Sequence, residues 1–283
     1  MFGYSLLSLL CVASATMVFA VNETDHHWIN FQKFVSRFDK SYSNLIELEK
    51  RFELFKDNME YINSENVKGH SYQLGVTPFA DLSEDEFSRF NGIRTGGSLS
   101  GGCGKFASSG AAVPDSYDWR DHGAVTPVKN QGQCGSCWSF SATGAMEGAW
   151  AISKGSLVSL SEQELVDCAG LKYGSMGCNG GQMDGAFKYA IDNGMCTEAS
   201  YPYVSGVTKS GGNCQSCSAV DHFSSCSDVK PNDQISLKAA VAQQPVAVAI
   251  EADTRYFQSY SSGVLTSSSC GTSLDHGVLT VGY

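Results

Sequence analysis

Eleven cysteines in a chain of 283 residues restrict the folds open to it more than any other feature. So dense a set fits an oxidising compartment, where bridges persist, and predicts a stapled domain rather than an ordinary cytosolic enzyme. The N-terminus agrees. Leu6 to Ala20 form an apolar run ending Val18-Phe19-Ala20, with small residues where a signal peptidase reads, so a signal peptide over 1–20, cut after Ala20, is expected. The run is shorter than the ~20 residues of a spanning helix, and no later segment is long and apolar enough, so no stable membrane association is expected. Asn22-Glu23-Thr24 makes Asn22 a candidate glycosylation site. A net charge of −10 and a pI near 5.0 argue against nucleic acid as a partner, because phosphate binding needs a basic surface. With 42% hydrophobic and 17% charged residues the chain can bury a core, which excludes a disordered or coiled-coil protein.

Two regions of different character follow. Up to about Phe90 the chain is charged and helix-periodic: Leu45, Leu48, Phe52, Phe55, Met59 and Ile62 recur in steps of three and four, so they share one helical stripe. Glu47 precedes Arg51 by one turn, which allows an ion pair. Residues 91–112 are rich in Gly and Ser and read as an exposed linker where processing belongs, so the N-terminal segment is placed at 21–112. A Gly- and Cys-rich region covers 113–283. Its first half predicts helices over Ser136 to Lys154, after the cap Ser161, and over Gln182 to Asn193; its second half predicts strands over Pro245 to Ala252 and Gly277 to Tyr283. Helices followed by strands imply an α+β arrangement of two lobes with a cleft between them.

The chemistry concentrates in Gln131-Gly132-Gln133-Cys134-Gly135-Ser136-Cys137-Trp138-Ser139-Phe140. Cys137 enters a helix from a glycine turn, where unpaired N–H groups and the positive helix end favour a thiolate. Attack on a carbonyl also needs a cationic partner and donors for the developing oxyanion, which Gln131 and the Cys137 amide could supply. An isolated Cys is more often bridged or simply buried. Of the six histidines, His26, His27 and His70 lie in the charged N-terminal region, leaving His122, His222 and His276. His276 begins a strand 139 residues after Cys137. Three other readings compete. Cys134 to Cys137 is also a C-x-x-C motif of the thiol–disulfide oxidoreductase kind, though no βαβ pattern surrounds it. Cys214 and Cys217 have zinc spacing but no second ligand pair. A catalytically dead second region carrying its N-terminal helix could act as a binding protein that inhibits related enzymes.

Further motifs join these. Glu47, Arg51, Phe55, Asn58, Ile62 and Asn66 are interspersed through the N-terminal helix, Gly75, Phe79 and Asp81 follow with Thr77 among them, and Cys178-Asn179-Gly180-Gly181 lies in the second region. Together with the Cys137 segment and the distance to His276 they resemble the papain-type cysteine proteases of the cathepsin L group, written with their inhibitory propeptide. The departure is Thr77, where that family usually has Asn. The resemblance implies a papain-like fold, with a helical left lobe and a β-barrel-like right lobe behind a helical propeptide. It implies a cysteine endopeptidase with Cys137 as nucleophile, His276 as general base and later acid, and Gln131 as oxyanion donor. Gly180, Gly181 and Asp275 would meet the substrate; Met183, Ala249 and Leu274 would line an apolar pocket for the second residue before the scissile bond. It further implies bridges from Cys134 to Cys178 and from Cys168 to Cys214 or Cys217, no metal and no cofactor.

The implied partners are polypeptide substrates, the chain's own propeptide and cystatin-like inhibitors, for a monomer bound for the lysosome, vacuole or cell exterior. The family's third catalytic residue, an Asn, falls beyond Tyr283, so the chain is expected to be C-terminally truncated, weakly active at best, and to leave Cys270 without its partner. Cys103 is expected to be lost with the linker, and Cys196, Cys226 and one of Cys214 and Cys217 are expected to lack a full set of partners. The carboxylates Asp81, Glu84, Asp85 and Glu86 predict loosening of the propeptide by acid, through their pairs with the peptidase.

Overall fold

The computed structural model describes residues 26–94, 102–108, 110, 112–220, 222–266 and 269–283. The expected signal peptide 1–20, Asn22 and positions 95–101 of the expected linker lie outside the described residues. The N-terminal region is built on α1 (His26–Arg37) and α2 (Leu45–Asn66). The side chain of Asn44 caps α2 by accepting from the Glu47 amide, while the Glu47 carboxylate accepts from the Ser43 amide at 2.9 Å. Phe52, Phe55 and Ile62 are buried with Leu48 and Met59 packed beside them, whereas Leu45 is 74% exposed. The apolar stripe therefore starts one turn later than its periodicity suggests, because a cap rather than packing holds the first turn. Phe31 and Phe34 of α1 meet Phe55 with ring centroids 5.4 and 5.0 Å apart, and such pairs add about 0.5–1.5 kcal/mol each beyond their burial.

Polar groups close this small core. The Asn58 amide donates to the carbonyls of Ala80 and Leu82, and buried Asp81 accepts from Lys40 and Tyr42, each at 3.0 Å. Between them runs β1 (Tyr72–Leu74), followed by the short α3 (Glu84–Ser88), opened by a capping box between Ser83 and Glu86. Arg51 lies 3.9 Å from Glu47 but 2.6 Å from Glu86, so its stronger ion pair is the long-range one. Burial alone would raise the Glu86 carboxyl, but Lys50, the Ser83 amide and Arg51 outweigh it and hold the group at about 2. A depressed carboxylate stabilises the folded state above the usual value of 4.5, and that contribution disappears as pH falls toward 2. Glu86→Gln is therefore expected to speed hydrogen exchange across residues 45–90 at pH 7 and to flatten its acid dependence. An unchanged acid profile would contradict the assignment.

The expected acid contacts need correction. Asp81 pairs with Lys40, Asp85 with Arg89 and Glu86 with Lys50 and Arg51, all inside the N-terminal region. Among these carboxylates only Glu84 reaches the second region, 3.7 Å from Arg255. Acid therefore loosens the fold of this region rather than a line of ion pairs across the boundary.

After β2 (Gly104–Lys105), the second region is organised around α4 (Cys137–Lys154), closed by Gly155 at φ 72°. Trp138, Ala142 and Met146 of α4 form the helical lobe's core with Leu160, α5 (Glu162–Cys168) and α6 (Met183–Asn193). As predicted, Ser161 caps α5 by accepting from the Glu164 amide. On another face Gly148 lets Pro245 approach so closely that a Cβ would lie 2.6 Å from its ring. Lys129 is held between the buried carboxylates of Glu147 and Glu162, 2.6 Å from each. The short α7 (Ser205–Thr208), β3 (Ser227–Asp228) and α8 (Gln234–Val241) lead to β4 (Val246–Ile250), α9 (Arg255–Gln258), β5 (Tyr260–Gly263) and β6 (His276–Thr280).

The α+β expectation holds, but no barrel closes among the described residues: β1 pairs with β5, β2 with β3, and β4 with β6. All five residues of β4 are half-buried instead of alternating, because a two-stranded sheet covers each side chain only in part. The β1–β5 pair is antiparallel and joins the two regions through Tyr72 opposite Gly263 and Leu74 opposite Tyr260. Buried Gln258 strengthens the junction, its amide donating to the carbonyls of Phe79 and Leu82 at 2.9 Å. Thr77, the departure noted in the sequence, donates its hydroxyl to the Gln258 carbonyl at 2.7 Å.

Candidate active site

Cys137 is the first residue of α4, and its cap Ser136 directs its hydroxyl to Tyr203 at 2.7 Å rather than to the helix end. The cysteine is free and buried. Three backbone amides converge on its sulfur: Gly92 at 3.2 Å, Gly277 and Trp138. Each favours the thiolate, yet burial outweighs them and pushes the thiol above its ordinary value. His276 starts β6 and pairs in register with Ile250, so the residue after it, Gly277, brings this strand to the sulfur. Burial pulls the His276 imidazole down to about 4. Its ring lies edge-on to Phe257 at 6.1 Å, and Nδ1 has no hydrogen-bond partner among the described residues. Both groups are thus held neutral.

The N-terminal region reaches the sulfur through the Gly92 amide. The sequence places residues 91–94 in an exposed linker, and the structure corrects this: Asn91 to Arg94 run through the cleft. Gln131 donates its side-chain amide to the carbonyls of Phe90 at 2.7 Å and Cys134 at 2.8 Å. Gly181 donates to the Gly92 carbonyl and accepts from the Arg94 amide, forming a parallel bridge opposite Ile93. Asp275 accepts the Ile93 amide on its backbone and the Asn91 side chain on its carboxylate at 2.6 Å. Ile93 and Met183 both crowd Gly277, where a Cβ would lie 3.2 and 3.3 Å from them. Ala249 faces Gly277 across the sheet, Leu274 is 45% exposed, and Gly180 adjoins Gly92. The Gly92 amide donates to the sulfur, so the segment occupies the cleft at the reactive atom itself.

Disulfides settle the rival uses of cysteine. Cys134 is bonded to Cys178, Cys168 to Cys214 and Cys196 to Cys217. Cys137 has no bond to Cys134, which overturns the oxidoreductase reading, and bonding of Cys214 and Cys217 to other cysteines overturns the zinc reading. A fourth bridge joins Cys103 to Cys226, so Cys226 has a partner and Cys103 is not a loose linker thiol. Cys270 is free and exposed. Sequence reasoning missed Asn91 to Arg94, Arg255 and Gln258. Gly-rich composition hid the first group, and nothing local marks the other two.

Residues 113–283 match the papain family cysteine protease pattern, and residues 31–87 match the cathepsin propeptide inhibitor domain (I29). The chain is 46% identical over 260 residues to the probable cysteine protease RD21C of Arabidopsis thaliana, covering 89% of this chain but only 56% of that protein. It thus spans little more than half the length of that relative. The senescence-specific cysteine protease SAG39 of Oryza sativa subsp. indica is 41% identical over 297 residues, with 99% of this chain and 83% of that protein covered. Among solved structures, digestive procathepsin L 3 from Tenebrio molitor larval midgut superimposes with a TM-score of 0.83 at 40% identity, covering 91% of this chain and 84% of that one. By its matched region, its relatives and its fold, the chain belongs to the papain family of cysteine proteases.

Proposed function

We propose that the protein is the zymogen of a cysteine endopeptidase, with the peptidase region at 113–283 and the segment before it acting as its own inhibitor. The observation that carries this reading is the path of Phe90 to Arg94, which occupies Gln131, the Cys137 sulfur, Gly181 and Asp275 at once. Once that segment leaves, the sulfur and imidazole become hydrated and the helix end favours a thiolate–imidazolium pair. The thiolate attacks a peptide carbonyl whose oxygen takes the Gln131 donor, His276 gives its proton to the leaving amine, and the resulting thioester is hydrolysed by water that His276 deprotonates. The position of Ile93 beside Met183 supports an apolar preference at the second residue before the scissile bond.

Acid processing fits the charges. Burial raises Glu162 to about 7 against the attraction of Lys129, and it also raises Glu164 and Glu198. Raised carboxyls stabilise the fold fully below their ordinary value and lose that contribution as pH climbs through the folded one. The peptidase region therefore gains stability on acidification from about pH 7, while the Glu86 clamp weakens at lower pH. Four bridges support passage through the secretory pathway. A vacuolar or lysosomal site of action fits the opposing pH slopes, and an extracellular one fits the bridges. The test is cleavage of a fluorogenic dipeptide with a bulky apolar residue at the second position, after acidification has released the N-terminal segment. Hydrolysis that favours this reporter over a charged one is expected; no hydrolysis by the released protein would overturn the reading.

A further inference from the structure

The bridge between Cys103 and Cys226 crosses the boundary between the inhibitory segment and the peptidase region, and it spans 123 residues. The other three bridges lie within 113–283 and span 44, 46 and 21 residues. Beside it, the Gly104 amide donates to the Cys226 carbonyl at 2.9 Å and Phe106 to the Asp228 carbonyl at 2.8 Å. Gly104 and Lys105 pair in parallel with Ser227 and Asp228. The chain is thus fastened to the peptidase surface at the β1–β5 junction, in the cleft at Asn91 to Arg94, and again at Cys103 to Phe106. Cys103 lies upstream of residue 113, where the matched peptidase region begins.

We propose that this disulfide is a redox latch on activation, an inference that rests on the zymogen reading above. A cut between Cys103 and Val113 leaves the inhibitory segment covalently attached through Cys103. The attached segment keeps an effective concentration near the cleft on the order of millimolar, so it rebinds instead of diffusing away. Release then requires a thiol reductant. One thiolate attacks a bridge sulfur and expels the other as a thiolate that takes up a proton. A second thiol resolves the mixed disulfide, so two thiols become one disulfide while Cys103 and Cys226 each gain a hydrogen. A cut upstream of Cys103 bypasses the latch and leaves a short extension pinned to the mature protein. Both bridge cysteines are half-exposed, between exposed Gly102, Gly104, Ser225 and Ser227, so a reductant can reach them. The carboxylates of Asp184 and Asp228 lie within 4.8 Å of the Cys103 sulfur, so they favour a reductant whose attacking thiolate is its only negative charge over one that also carries carboxylates.

Two variants of the full chain test this, each with the recognition sequence of a sequence-specific protease, one replacing residues 95–101 and the other replacing 107–111. Both retain the bridge. After cutting, denaturing electrophoresis without reductant is expected to show the fragment released from the upstream variant and retained by the downstream one until dithiothreitol is added. In the downstream variant, alkylation of Cys137 after dilution is expected to be at least about tenfold faster once dithiothreitol has acted. In a downstream variant that also carries C103S and C226S, the segment is expected to leave without reductant. Loss of the segment from the bridged downstream variant without reductant overturns the latch, as does equal alkylation before and after reduction. If the latch behaves as stated but the released protein hydrolyses no peptide, the peptidase reading fails and the latch stands.

Discussion

Cys137→Ser is expected to leave the fold intact and reduce peptide hydrolysis by the released protein at least about 10⁴-fold, since a nucleophile and its base act as one unit. The side chain is buried at the start of α4, and an oxygen occupies less room than the sulfur it replaces, so packing around Trp138 is retained. A serine hydroxyl stays protonated at the helix start, whereas a thiol there, keeping the Gly277 and Trp138 amide donors, ionises once the segment has left. The loss should appear in kcat, with binding of an apolar peptide inhibitor unchanged. Activity surviving this change would place the chemistry elsewhere.

Gly92→Ala is expected to produce the largest change in latency. A Cβ at Gly92 would overlap the carbonyl of Gly135 and lie 3.0 Å from its Cα, and this neighbour is backbone with no freedom to swing aside. The contact repeats from the other wall, where a Cβ on Gly180 would lie 2.8 Å from the Gly92 carbonyl. The segment must therefore rise out of the cleft. It would lose the Gly92 donation to the sulfur and the two bonds with Gly181. Three hydrogen bonds at about 0.5–1.5 kcal/mol each correspond to weakening of the inhibitory contact by one to three orders of magnitude. Inhibition of the mature protein by the added segment, wild type against G92A, measures this. Equal inhibition constants would show that the cleft contact is not what closes the site.

Much of this was legible in the chain. Local signals carried the helices: the stripe from Leu48 to Ile62, Ser161 as a cap and Gly155 as a terminator all depend on neighbours within one or two turns. The strand over Val246 to Ile250 was legible for the same reason, although its alternation did not become alternating burial. The contacts that were not legible are long-range. Nothing in Asn91-Gly92-Ile93-Arg94 distinguishes a cleft occupant from a flexible linker, because its order is imposed by Gln131, Gly181 and Asp275 from the other region. Cys103 sits in a Gly-rich stretch whose partner lies 123 residues on. The carboxylates Asp81 and Glu86 showed a charge to be titrated but not their partners, which proved to be Lys40, Lys50 and Arg51.

The seated segment is expected to hold a reactive thiol and an imidazole in their uncharged forms. Iodoacetamide labelling of Cys137 at pH 6, read by peptide mapping before and after removal of the segment, tests it most directly. With the segment seated, burial keeps the thiol protonated and His276 neutral down to about 4, so labelling is expected to be negligible. After removal the rate should rise at least about 100-fold and persist into acid, as for a thiolate paired with an imidazolium. Equal labelling in both states, or a thiol that stays unreactive in the open cleft, would contradict the account.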